Sequence, residues 1–367
     1  MTQNDSIRIA DRMVGPDHEP FVIAEMSGNH NQSLDRAIAI VDAAADAGAH
    51  AIKLQTYTAD TMTLDVEGKG FQIESDGNLW KGRSLHELYE EAHTPWDWHE
   101  PIFRHAADRG IIAFSSPFDE TAVDFLETLD APAYKIASFE MTHLPLVRKV
   151  ASTGKPIIIS TGMATLGEIE ETVCVARDSG ASQIVLLKCT STYPATPENT
   201  NLRTIPHLRE AMNVQVGLSD HTMGVGASVA AVALGATVIE KHFTLDRSDG
   251  GVDSTFSLEP AELQQLVIES RRAWLAMGGI AYGPTGDQTA SLEFRRSVYV
   301  ARDVAAGETI TTDHLRIIRP GHGLAPKHFD SLIGGVARRT LRRGEPAAWS
   351  MFNIENEEKD VSQKNAA

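Results

Sequence analysis

The chain has 367 residues, 42% hydrophobic and 23% charged, with a formal net charge of -17. That length suits one large domain plus a small one, and the acidic balance argues against a nucleic-acid backbone as partner, since gripping phosphates along a strand needs a basic surface. Cys174 and Cys189 are too few for a disulfide framework, MTQNDSIRIADRMVG has no apolar signal core, and no apolar run approaches the ~20 residues of a membrane span; a cytoplasmic protein with no membrane partner is expected.

In chain order, short apolar runs alternate with helical stretches. FVIAEMSG (21–28) precedes the helix LDRAIAIVDAAADAGA. AIKLQT (51–56) precedes a long insertion. IIAFSSP (111–117), AYKIAS (133–138), PIIIST (156–161) and IVLLKC (184–189) each follow a helical segment, and VGLSDH and VIEKHF complete the series. These eight runs are apolar almost throughout, which implies burial on both faces, as in parallel sheets. Eight β/α units over ~250 residues predict an α/β fold, a (β/α)8 TIM barrel. A doubly wound open sheet is the alternative. It would normally carry a Gly-rich phosphate turn after its first strand, where this chain has Glu-Met-Ser-Gly-Asn-His-Asn.

The insertion, roughly 57–95, bears Tyr57, Phe71, Trp80 and Tyr89 and is too aromatic for a solvated linker. It reads as a lid or wall over the barrel mouth, or as a loop packed on the outer helices. After a Gly-rich loop and the helix PAELQQLVIESRRAWLAMG, the texture changes. The expected organisation is a barrel domain over 1–284, a linker over 285–292, a small β-rich domain over 293–355 and a disordered tail over 356–367. So small a domain is expected to have little core of its own.

Barrel active sites lie at the carboxyl ends of the strands. Those ends carry Glu25, Lys53 with Gln55, Ser115 with Ser116, Lys135 with Ser138, Ser160 with Thr161, Lys188 with Thr190, Ser219 with His221, and Glu240 with His242. Three strand-end lysines suggest a cradle for phosphate or carboxylate completed by hydroxyls, unless carboxylates neutralise them. Side chains two apart share a strand face, so Ser219 aligns with His221 and Glu240 with His242. Two imidazoles beside a carboxylate make a reasonable divalent-metal site; two core histidines satisfied by backbone partners are the plain alternative. From the residues alone the reading stops at a metal-dependent lyase, transferase or isomerase acting on a phosphorylated or carboxylated substrate.

IAEMSGNHN, AIKLQTY, YKIAS with Glu140, ISTGMA, KCTSTYPA, GLSDHT and IEKHF resemble the sialic acid synthase family over about residues 18–353, and VARDVAAGETIT with IRPGHGL resembles its antifreeze-like (SAF) domain. EMSGNHNQSL, TYTADTMTLD and FSSPFD look most like the branch that makes pseudaminic acid, where the neuraminate branch reads nearer EIGINHNG. The resemblance implies condensation of phosphoenolpyruvate with an acetamido sugar aldehyde, giving a nine-carbon 2-keto acid and phosphate. It implies Mn2+ or Mg2+, with Co2+ as a substitute, on His221 and His242, and Glu25 as the group that stabilises the oxocarbenium or handles the proton of the attacking group. Lys53, Ser116, Lys135, Ser138, Ser160, Ser191 and Ser219 would hold phosphoenolpyruvate. Gln55, Glu140, Tyr193 and Asp253 would contact the sugar, and Arg319 would reach its acetamido group from the second subunit of a domain-swapped homodimer. Ser191 departs from the asparagine frequent in the neuraminate branch. The rivals are a neuraminate or legionaminate synthase, a synthase for phosphorylated sugars, and a catalytically dead carbohydrate-binding barrel.

Overall fold

Strands that are apolar on both faces need cover on both, and a closed parallel sheet ringed by helices supplies it. The computed structural model describes residues 6–74 and 80–354; the tail expected over 356–367 lies outside the described residues. Two compact units are present, Met1–Gly278 and Gly279–Ala367.

A short hairpin, β1 (Ile7–Ile9) and β2 (Arg12–Val14), comes first. The barrel strands follow: β3 (Phe21–Glu25), β4 (Ala51–Thr56), β5 (Ile112–Pro117), β6 (Tyr134–Ile136), β7 (Ile157–Ser160), β8 (Ile184–Cys189), β9 (Gln215–Asp220) and β10 (Val238–His242). They form a closed parallel barrel in sequence order, β10 pairing with β3. Outside run α1 (Leu34–Asp46), the short α2 (Ala59–Met62) and α3 (Leu85–Ala92) of the insertion, α4 (His99–Asp108), α5 (Glu120–Thr128), α6 (Leu144–Ala151), α7 (Leu166–Asp178), α8 (Thr204–Met212), α9 (Gly226–Ala233) and α10 (Pro260–Met277). Several of the helices open on a side-chain cap. Ser33 accepts from the Arg36 N–H to open α1, and Thr165 with Glu168 forms a reciprocal capping box for α7. On α1, Ala37, Ile40, Val41 and Ala44 lie on one buried stripe against the sheet.

Inside the barrel the lower layers are apolar: Phe21, Ile23, Ala51, Phe114, Ala133, Ile158, Val185, Leu187 and Val238 pack together, and Ile7, Ile9 and Val14 of the hairpin pack with them. This plug was not expected, because three-residue strands carry too little pattern to be read. Gly217 allows the close approach of β9 and β10; a Cβ there would lie 2.2 Å from the Val238 carbonyl oxygen. The insertion contributes to the mouth of the barrel. Tyr57 is buried edge-on to Tyr89 and Phe118, and Trp80 donates to the Val252 carbonyl in the loop beyond β10.

The second unit holds two antiparallel pairs, β11 (Ser297–Val300) with β12 (Leu315–Ile318) and β13 (Val336–Ala337) with β14 (Phe352–Asn353). Contrary to expectation it has a contiguous core, with Val298, Val300, Ile310, Leu315, Leu332, Leu341 and Phe352 buried together. Residues 279–284 fall in this unit rather than with the barrel, because α10 ends at Met277. The stretch expected as a linker contains helical turns at Gln288–Ser291 and Leu292–Phe294. Among the described residues no helix is long and apolar enough to cross a membrane.

Candidate active site

The apolar lower layers end where each strand reaches its carboxyl end, and the next inward side chain is polar. Two-residue periodicity carries Ile23 to Glu25, Ala51 to Lys53 and Gln55, Phe114 to Ser116, Ala133 to Lys135, Ile158 to Ser160, and Val238 to Glu240 and His242. Register aligns them further: Glu25 pairs with Lys53 and with His242, and Ser219 with Glu240 and Cys189.

Two buried ammonium groups dominate this ring. Lys53 Nζ lies 2.8 Å from Glu25 Oε2, 3.6 Å from Glu240 Oε1 and 3.2 Å from Ser116 Oγ. Lys135 Nζ donates to Ser160 Oγ at 2.7 Å and lies 3.7 Å from Glu240 Oε1. Ser219 Oγ donates to Glu240 at 3.3 Å, and Gln55 Nε2 donates to Glu25 at 2.8 Å. The neutralising carboxylates weighed from the sequence are therefore present for these two lysines. Their protonation is unequal. Burial, with Glu240 adding, raises the Glu25 carboxyl to about 7 against the pull of Lys53. Burial also works against ionised Glu240, but Lys135 and Lys53 outweigh it and hold Glu240 below the usual carboxylate range. Burial lowers Lys135, whereas Glu240 and Glu25 overcome burial at Lys53 and raise it. Near neutral pH Glu25 is only about half ionised, so the carboxylates do not fully offset the two lysines and the ring favours an anion with several oxygens.

Above the ring stand the two histidines, ring centroids 5.3 Å apart, with Tyr193 4.5 Å from His221 and Phe256 4.9 Å from His242. His221 Nδ1 is 2.9 Å from the Thr190 carbonyl, which can only accept, so that nitrogen carries a proton. Burial disfavours the charged ring, but Cys189 and the Thr190 carbonyl outweigh it and raise the His221 pKa, so Nε2 becomes a metal ligand only by giving up its own proton. His242 Nδ1 is buried without a hydrogen-bond partner, 3.7 Å from Asp253 Oδ2. Burial, with His221, Lys53 and Lys135 nearby, drives the His242 pKa well down and keeps the ring neutral, the form a metal needs. A divalent cation fits this donor set. Among the described residues no three or more His, Cys, Asp or Glu converge as ligands, so the protein's share would be two imidazoles, with positions left for water and substrate oxygens.

The remaining expected residues divide. Ser138 and Ser191 hydroxyls meet at 2.8 Å, and Gly162 closes over them where a Cβ would lie 2.5 Å from Ser138 Cβ. Glu140 is half-buried with Oε2 unpartnered, and burial raises its carboxyl to about 7. Asp253 is buried and accepts from the Ser27 hydroxyl, and burial raises its pKa. Arg319 lies in the second unit, exposed just after β12. Lys188 is a correction: it does not join the cradle but points outward, its ammonium on the Thr190 hydroxyl and the Cys189 carbonyl. The inward group there is Cys189, which sequence reasoning passed over. Burial alone would push its thiol up, but His221 beside it brings it down to about 7. Ser27 and Phe256 were also missed; only the parity from Leu187 to Cys189 was available as a signal. Grooves of 590 Å³ and 790 Å³, beside Trp274 and beside Phe103, lie at the amino-terminal ends of the strands and contain none of these groups.

The chain matches the NeuB family over residues 40–282 and the SAF domain over 295–353. It is 44% identical to the pseudaminic acid synthase of Campylobacter jejuni subsp. jejuni serotype O:2, covering 90% of this chain and 95% of that protein. To the N,N'-diacetyllegionaminic acid synthase of the same organism it is 37% identical, covering 89% and 98%. The crystal structure of the N-acetylneuraminic acid synthetase of Leptospira borgpetersenii, in complex with citrate, superposes with a TM-score of 0.70 at 30% identity, covering 79% of this chain and 96% of that one.

Proposed function

The chain belongs to the NeuB family, and from that premise we propose that it makes pseudaminic acid, condensing phosphoenolpyruvate with 2,4-diacetamido-2,4,6-trideoxy-β-L-altropyranose and water and releasing phosphate. The observation that carries the reading is the 44% identity to a pseudaminic acid synthase along nearly its whole length, above the 37% to a legionaminic acid synthase from the same organism. The ring at the barrel mouth supports it chemically, since a buried pair of lysines framed by Ser116, Ser138, Ser160, Ser191 and Ser219 suits a phosphorylated carboxylate.

Lys53 and Lys135 bind and orient phosphoenolpyruvate so that its C3 faces the acceptor aldehyde. Gln55, Glu140, Tyr193 and Asp253 position the open-chain sugar. A divalent cation on His221 and His242, Mn2+ or Mg2+ with Co2+ as a substitute, would supply Lewis-acid polarisation of the aldehyde oxygen. C3 attacks the aldehyde carbon, and the positive charge left at C2 of the former phosphoenolpyruvate develops beside Glu25. Water adds at C2 as Glu25 takes one of its protons, and that proton passes to the former aldehyde oxygen to complete its hydroxyl. The tetrahedral intermediate loses the C2–OH proton as the C2–O–phosphate bond breaks, leaving the 2-keto group and hydrogen phosphate. A carboxyl near 7 is matched to that proton transfer. Arg319 of a partner subunit would contact the acetamido group, making a domain-swapped homodimer the active form.

Phosphate release from phosphoenolpyruvate tests this, with Mn2+, comparing the diacetamido altrose acceptor with N-acetylmannosamine and the legionaminate precursor, and repeating after chelation. Release with the altrose acceptor, lost on chelation and restored by Mn2+, is expected. Release only with another acceptor overturns the substrate assignment, and full turnover in chelator overturns the metal.

A further inference from the structure

His221 and His242 face into the barrel, and the residues beside them, Asp220 and Lys241, face out. These two are direct partners in the β9–β10 register. Lys241 Nζ is 2.9 Å from Asp220 Oδ2 and also donates to the carbonyls of Thr222 at 2.5 Å and Gly224 at 2.7 Å. Asp220 accepts from the Thr222 N–H at 2.9 Å, the Thr222 hydroxyl at 2.8 Å and the Ser228 hydroxyl at 2.6 Å. Both residues are almost wholly buried, at 1% and 2% exposure.

A buried ion pair is weak evidence for stability, because well-packed apolar residues of similar volume often do as well. What distinguishes this pair is its attachments. The two carbonyls that Lys241 holds belong to the loop that continues directly from His221, and Lys241 itself precedes His242. The ammonium thus ties the end of β10 to the loop beyond β9, and the two ties bracket both imidazoles. We propose that the Asp220–Lys241 pair is a positioning device for the two active-site histidines, setting their spacing from the outer face of the barrel without touching substrate. The proposal rests on the metal reading above only for the purpose of that spacing; the positioning itself stands on the contacts.

The test uses the full-length protein and its Asp220→Asn and Lys241→Met variants. Mn2+ binding is measured calorimetrically, imidazole nitrogens by NMR of histidine-labelled metal-free protein, and turnover and melting alongside. Each variant is expected to weaken Mn2+ binding roughly 10- to 100-fold, the range for loss of outer partners of metal ligands. It should move the His221 and His242 nitrogen signals and lower kcat with the KM for phosphoenolpyruvate unchanged. Wild-type Mn2+ affinity and unmoved signals, with only a lower melting temperature, would reduce the pair to a structural role and overturn the proposal. Should a single variant not fold, Asp220→Asn with Lys241→Gln leaves no lone buried charge and is judged by the same two results. His221→Ala separates the premises: if it takes up Mn2+ as wild type does, the metal reading falls, and the imidazole signals alone decide the positioning, shifted sustaining it and unmoved overturning it.

Discussion

Replacing Glu25 with Gln should stabilise the protein and abolish its chemistry, with a pH signature that separates the two effects. Glu25 sits at 1% exposure between Lys53 and Gln55, and its carboxyl is raised from 4.5 to about 7. At about 1.4 kcal/mol per pH unit, the ionised carboxylate costs on the order of 3 kcal/mol relative to its neutral form. The sign follows from linkage. Between 4.5 and about 7 the native state holds this proton while the unfolded chain has lost it, so stability falls as pH rises through that window. Gln imitates the neutral acid and carries no such penalty. Melting of metal-free wild type and Glu25→Gln should therefore nearly coincide near pH 4.5, diverge up to about pH 7 and keep a constant gap above it, several degrees for a domain of this size. In turnover, wild-type kcat/KM should rise along an acid limb of apparent pKa near 7, and the variant should lose roughly 10²- to 10⁴-fold. A melting gap independent of pH, or an acid limb that survives in the variant, would refute the argument that Glu25 is the group held near neutrality.

Lys135→Met removes one charge-assisted hydrogen bond to an anion, about 1.5–3 kcal/mol, so the KM for phosphoenolpyruvate should rise between about 10- and 150-fold; steady-state kinetics with an unchanged KM would remove Lys135 from the cradle. Arg319→Ala should raise the KM for the sugar without changing melting or the KM for phosphoenolpyruvate. Mixed with inactive Glu25→Gln protomers it should recover activity, about a quarter of wild type if subunits exchange freely in a two-fold dimer, and a mixture that stays inactive would place Arg319 in its own subunit's site or outside any site.

Much of this protein was legible in its sequence for a local reason. Eight apolar runs with helices between them declare their own burial, and a barrel confines its chemistry to strand ends that can be located by counting. Glu25, Lys53, Lys135, His221 and His242 were found that way. Lys188 and Cys189 show where counting stops. A strand buried on both faces has no alternation of polar and apolar residues, so IVLLKC does not reveal which of its last two side chains enters the barrel, and the charge drew attention to the wrong one. The hairpin plug is invisible for a related reason, since its strands are too short to carry a period. Other features depend on register between strands distant in sequence: Glu240 reaching Lys53 and Lys135, Ser27 reaching Asp253, and Asp220 meeting Lys241 behind the histidines. Local composition chose the elements. Only closure of the sheet chose which charges share a buried space, and with them the raised carboxyl and the neutral imidazole on which the proposed chemistry depends.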